Sequence, residues 1–238
     1  MSAASSGSVT TSSPPFTSNG TGRLSNYVDG TGLVGAEIAA GLDAAIGQGG
    51  FTLGLAASYR YGGAADITAH DGDRAVVLGV RSHDVEALAL AGYRGAALGG
   101  WSIGVQAGAR LVLDLVDQDY AITVPSERIL ALQVGAGIEL PRIVAGLGLA
   151  ASAAFLPVGE RAQTEHLGEG ESAATNGFSI AATLTYAVSP VVCLFLAGRY
   201  ARISTRFDGP AERDPAITSA SRDTTLGSIS LGVRLQRY

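Results

Sequence analysis

The stretch Trp101–Leu115, WSIGVQAGARLVLDL, decides the fold. Its odd positions, Trp101, Ile103, Val105, Ala107, Ala109, Leu111, Leu113 and Leu115, are all apolar. Between them fall Ser102, Gly104, Gln106, Gly108, Arg110, Val112 and Asp114. An extended strand puts two such sets on opposite faces. Gln106, Arg110 and Asp114 are also spaced four apart, as a helical stripe would be. A helix is nevertheless excluded, because Gly104 and Gly108 would each cost it about 1 kcal/mol and its apolar residues would wrap the whole circumference.

The same alternation recurs. Val34, Ala36, Ile38, Ala40, Leu42, Ala44 and Ile46 form one apolar series, and Phe51, Leu53, Leu55, Ala57, Tyr59 and Tyr61 another. Leu130 to Ile138, Phe178 to Tyr186 and Ile229 to Leu235 repeat it, while 74–94, 143–157 and 191–207 fit less cleanly. Short turns are expected at Gly47–Gly50, Gly95–Gly100, Leu140–Arg142 and Val188–Pro190. Longer links are expected at 117–126, 158–176 and 208–223, with a hairpin tip at Asp71-Gly72-Asp73, since Asp-Gly tolerates positive φ. Short and long connections in alternation describe an up-and-down antiparallel sheet whose two ends face different media. Residues 1–22, rich in Ser, Thr, Gly and Pro, read as a flexible leader, and 23–238 as one β-barrel domain.

Composition narrows the class. The 238 residues are 47% hydrophobic but only 6% aromatic and 16% charged, and 33 are Gly, about twice the usual share. Every basic residue is Arg, and the net charge of −5 with no basic run argues against nucleic-acid binding. The one cysteine, Cys193, forms no internal disulfide and reads as buried or lipid-facing. Met1 to Ser13 carries neither the basic nor the apolar region of a secretory signal. Two uncharged stretches, Ile143–Gly159 and Ser172–Ala197, are long enough for a membrane helix, yet both are broken by Gly, Ser or Pro and both alternate.

The second face of the strands is Gly, Ala, Ser and Thr with isolated charges. A water-facing surface would carry more polar bulk. Small residues suit a narrow interior, where lone charges are tolerated if they pair. Alternation puts Glu37, Asp43, Glu86, Asp114 and Glu139 inside. Arg60, Arg94, Arg110, Arg234 and one of Arg199 or Arg202 fall on the same side. Five acids thus meet five bases in a charge-paired lumen. Phe51, Tyr59, Tyr61, Tyr93, Trp101, Tyr120, Phe155, Phe178, Tyr186, Phe207 and Tyr238 lie near expected strand ends, as the two girdles of a membrane barrel would.

On this rhythm of strands and links, and on a C-terminal strand Leu226–Tyr238 ending in an aromatic, the chain resembles the small outer-membrane β-barrels of the OmpA/OmpX-like class over about 33–238. The resemblance implies an outer-membrane, porin-like setting and a terminal strand read by the barrel assembly machinery. The fold expected is therefore an all-β, up-and-down antiparallel transmembrane β-barrel of 8–10 strands. Nine strands are evident, and a polar tenth near Phe16–Val28 is favoured.

No phosphate loop, nucleophile elbow or zinc pattern occurs. His70, His83 and His166 are the only histidines, and none has a partner at metal-ligand spacing. His83-Asp84 with a nearby serine is a weak echo of a lipase site. Asp71 and Asp73, or Glu165, Glu169 and Glu171, offer carboxylates for calcium, though a solvated acidic loop is the favoured reading. Arg206, Arg213 and Arg222, in expected loops, are candidates to meet outer-leaflet lipid phosphates, with ordinary solubility as the alternative. No enzyme, cofactor or metal is expected, and the lipid bilayer is the expected partner. The leading expectation is a structural anchor or interaction platform with a plugged lumen. The alternatives are a narrow pore for small solutes and a soluble β-barrel binding an apolar ligand.

Overall fold

The computed structural model describes residues 2–7, 16–20, 27–30, 34–46, 50–71, 74–94, 101–116, 126–144, 146–163, 172–210 and 219–235. All regular structure among them is strand. The three short elements are β1 (Ser2–Gly7), β2 (Phe16–Gly20) and β3 (Tyr27–Gly30). Nine long ones follow: β4 (Val34–Ile46), β5 (Phe51–Asp71), β6 (Arg74–Arg94), β7 (Ser102–Val116), β8 (Glu127–Val144), β9 (Leu147–Gln163), β10 (Ser172–Ala187), β11 (Val192–Asp208) and β12 (Ser219–Leu235). Each long strand pairs antiparallel with the next, giving an up-and-down nine-stranded sheet curled like a half-barrel. The decisive stretch is β7, and each uncharged stretch considered as a membrane helix falls across two strands, the first across β8 and β9 and the second across β10 and β11.

The first thirty residues contribute pairs of their own. β1 lies against Glu37–Gly41 of β4 on one side and Leu231–Leu235 of β12 on the other. β2 pairs with Ala220–Asp223 of β12, and β3 with Ile67–His70 of β5. β4 stops at the Val34–Gly63 pair while β5 runs on to Asp71, so the β2–β3 hairpin stands where the shorter β4 has ended. The region Phe16–Val28, expected to hold one strand, thus holds parts of two short ones.

Turn chemistry explains the short connections. Gly50 has φ +80°, and a Cβ there would stand 2.2 Å from the Arg94 carbonyl oxygen. Its own carbonyl accepts the Arg94 amide at 2.8 Å. Gly146, also at φ +80°, accepts the Ala187 amide at 2.7 Å. The turn expected at Leu140–Arg142 lies further on, because β8 continues to Val144. Two of the expected long links are also shorter, as β9 reaches Gln163, β10 begins at Ser172, and β12 begins at Ser219.

The two faces separate cleanly. Ile38, Leu55, Val105, Leu132, Ile229 and Leu231 are exposed, Leu55 by 66% and Val105 by 62%, whereas Gln133 is 1% exposed and Glu37 and Arg110 are buried. The apolar face is the outer one. Its large rings stand at two levels. Phe51, Tyr93, Trp101 and Tyr186 lie within a residue or so of the short-turn ends of their strands. Tyr59, Tyr61, Phe155, Phe178 and Tyr200 lie eight to ten residues further along theirs. Tyr59, Tyr61, Phe155 and Phe178 are mid-strand, contrary to the expectation of strand ends, because the strands extend well past them. Phe207 is buried on the inner face. Tyr120 and Tyr238 lie outside the described residues.

Candidate functional site

The inner face carries the polar chemistry, in layers. At the short-turn end it is lined by small residues such as Gly54, Gly104, Gly137, Ala181 and Thr183, with Leu88, Leu90 and Gln106, around a cavity of about 1190 Å³. Arg94 and Glu139 pair at 3.1 Å at its mouth, both about half exposed. Asp43 is exposed there too, and Arg234 stands 5.9 Å from the centre of the Phe195 ring. Of the expected lumen network, Asp43, Arg94, Glu139 and Arg234 therefore belong to the mouth. Among the described residues neither Asp43 nor Arg234 has an ion-pair partner.

Above the cavity, charges converge from β4, β5, β6, β7 and β11. Arg110 holds Asp84 through two bonds, Nε to Oδ1 at 3.1 Å and Nη2 to Oδ2 at 2.7 Å. Arg60 reaches the same Oδ2 at 3.0 Å and Glu86 at 3.7 Å. Arg199 reaches Glu37 at 2.8 Å and Glu86 at 3.8 Å. Gln133 donates to Glu86 at 2.8 Å, and Ser230 to Glu37 at 3.3 Å. Bonds from β11 and β12 to β4, and from β8 to β6, run between strands that are not hydrogen-bonded neighbours, so these side chains cross the interior. Each carboxylate has several donors, the condition on which buried charge is retained.

A thin apolar layer follows, with Val112, Ile129 and Ile203 packed together and Leu226 against them. Beyond it is a second polar layer that the sequence reading did not anticipate. Arg161 and Arg222 both meet Glu127, at 3.5 and 2.9 Å. Arg161 also donates to Thr205 at 3.0 Å and to Thr224, and Thr205 bonds Thr175. Asp114 accepts from Ser82 at 2.6 Å and pairs with no arginine among the described residues.

The structure resolves the one ambiguity that alternation left open and adds several members that alternation missed. Arg199 is the inward arginine, while Arg202 faces out and pairs with Asp223 at 2.7 Å. Asp84, the hub of the central cluster, was overlooked beside His83 in the less regular β6. Arg161 turns inward because the register shifts around Pro157, between the pairs Val134–Phe155 and Leu132–Val158. An extra residue there re-phases the strand. Arg222, expected to meet lipid in a loop, is instead 6% exposed inside β12. Arg206 is exposed beside Asp208 at 3.3 Å, and Arg213 lies outside the described residues. Cys193 is buried on the inner face.

His83 is on the outer face, its Nδ1 2.8 Å from the Tyr59 hydroxyl, so the lipase-like arrangement with inward Asp84 is not assembled. His166, Asp73, Glu165, Glu169 and Glu171 lie outside the described residues, while Asp71 ends β5. Among the described residues no group of three or more His, Cys, Asp or Glu is placed to hold a metal ion. No protein-family model matches the chain, and no curated protein matches it at significant similarity.

Proposed function

We propose that the chain is a ten-stranded transmembrane barrel of a bacterial outer membrane, non-enzymatic, with a plugged interior, acting as a structural anchor or interaction platform. The observation that carries the reading is the outer wall of exposed Leu, Ile and Val around an interior crossed by buried ion pairs. In water such a wall is unfavourable at roughly 25 cal/mol per Å², and hydrocarbon removes that cost. The two ring levels, eight or so residues apart, are separated by about 27 Å along a strand, or about 20 Å along the axis of a barrel tilted by about 40°. That is close to the apolar band of membrane barrels, about 25 Å.

Register supports ten strands with β1 as the closing one. Hydrogen-bonded partners lead from Ile46 through Phe51, Tyr93, Ile103, Ile138, Ala151, Ala182 and Gly198 to Ile229. Ile229 is six residues before Leu235, whose partner Ala3 also pairs with Ala40, six residues before Ile46. The two offsets make a circuit displaced by twelve residues. A rise of about 40 Å over ten spacings of about 4.8 Å corresponds to a tilt of about 40°, within the usual range for closed barrels.

The plugged reading is tested by conductance in planar bilayers. The expected result is no steady current, and stable ohmic openings would favour the narrow-pore alternative, for which the 1190 Å³ cavity is the supporting observation. The membrane reading is tested by SDS electrophoresis with and without boiling. A folded barrel migrates differently before heating. Monodisperse purification without detergent would instead favour a soluble ligand-binding barrel.

A further inference from the structure

The interior cavity at the short-turn end holds two charges that the ion pairs leave over. Its volume of about 1190 Å³ is slightly above the usual range of ligand pockets, about 300–1,000 Å³. Arg94 and Glu139 on its wall pair with each other, and Glu86 and Arg199 at its floor belong to the central cluster. Asp43 and Arg234 line the same cavity, and among the described residues neither meets a charge of opposite sign.

Arg234 is half-buried, with its guanidinium carbon 5.9 Å from the centre of the Phe195 ring. The ring face attracts the cation but does not accept its N–H donors as a carboxylate would. Asp43 and Arg234 are also too distant to neutralise each other. Ala4 of β1 pairs with Arg234 on one side and with Ala39 on the other, and Asp43 follows Ala39 by four residues towards the short turns. Two strand spacings and four rises put the two α-carbons about 17 Å apart along the wall.

We propose that this cavity binds a short zwitterionic peptide, its carboxylate on Arg234 and its ammonium on Asp43. An extended tripeptide is about 10 Å from end to end, and the long arginine and shorter aspartate stems cover the remainder. Both end contacts are of the stronger, charge-assisted kind, and guanidinium matches carboxylate in geometry. Between them Thr52, Ser152 and Thr183 offer hydroxyls to the peptide amides, while Gly54 and Gly104 leave room for side chains. The peptide enters from the short-turn side, because the bonds of Arg60 and Arg110 to Asp84 cross the interior beyond the floor. The inference rests on the plugged-barrel reading above and gives the space below the plug an occupant.

The test reconstitutes the full chain in phosphatidylcholine nanodiscs and measures trialanine binding by isothermal titration calorimetry. N-acetyl-trialanine and trialanine amide, each lacking one end charge, are titrated beside it. Saturable binding of trialanine is expected, with each capped peptide about tenfold weaker, the factor carried by one charge-assisted bond. Arg234→Gln should weaken trialanine to the level of its amide, and Asp43→Asn to the level of the acetylated peptide. Arg202→Gln, on the outer wall, should leave binding within about twofold. The capped peptides, titrated against the unmodified chain, keep the test independent of whether the variants fold. A heat-modifiable, lipid-inserted protein that binds no trialanine, or binds all three peptides alike, overturns the site and leaves the barrel standing. Failure of the unmodified chain to enter lipid overturns the membrane reading itself.

Discussion

Arg110→Met tests the central ion-pair cluster. Methionine keeps most of the unbranched stem but no donor, so Asp84 loses the bonds at 3.1 and 2.7 Å and keeps Arg60 at 3.0 Å. Both partners are largely shielded, with side chains 9% and 14% exposed. Removing one member of a buried pair costs about 3–5 kcal/mol, and the retained Arg60 bond places this case at the lower end, about 3 kcal/mol. Adding Asp84→Asn removes the stranded charge, so the double variant should lose about 2 kcal/mol less than the sum of the singles. Trp101, the single tryptophan and half exposed at the short-turn end, reports unfolding by fluorescence as urea is added to the vesicle-bound protein. An Arg110→Met change within about 0.5 kcal/mol of zero, or strict additivity in the double variant, would refute the reasoning.

Two further outcomes follow from the two faces. A Cβ at Gly108 would stand 1.9 Å from the Ala87 carbonyl oxygen, whereas one at Gly198 meets nothing within 4 Å. Gly108→Ala should therefore lower unfolding free energy by about 1–3 kcal/mol, and Gly198→Ala should change it by less than about 0.5 kcal/mol, as read from urea midpoints. Leu55→Arg, at one of the most exposed outer positions, should cost about 2–4 kcal/mol in a bilayer. The same change on a water-facing surface would be nearly neutral, so a null result contradicts the lipid-facing assignment.

The sequence was most legible where one face is apolar and the other small. In β7 the alternation of Trp101–Leu115 matches the observed faces, and in β4 that of residues 35–42 does the same. It failed where both faces become polar. Beyond the second ring level, Glu160 faces out and Arg161 in, and Ser221 faces out and Arg222 in. Both pairs are hydrophilic, so the stretches read as links although they are paired strand. The Pro157 bulge compounded this by reversing the phase of β9, and the layer around Glu127 was lost with it. The short β1 carries only Ser, Ala and Gly, residues that give no pattern at all. Its place is fixed by backbone pairing to β4 and β12.

The account depends above all on hydrocarbon covering the outer face. Nitroxide labels placed singly along β7 at 103 to 107, in a Cys193→Ala background and in lipid vesicles, test this directly through collisions with oxygen and with a water-soluble nickel chelate. The account predicts that labels replacing Ile103, Val105 and Ala107 meet oxygen and are shielded from nickel, with the opposite bias at Gly104 and Gln106. Nickel access at the odd positions equal to that of a free aqueous label would contradict it.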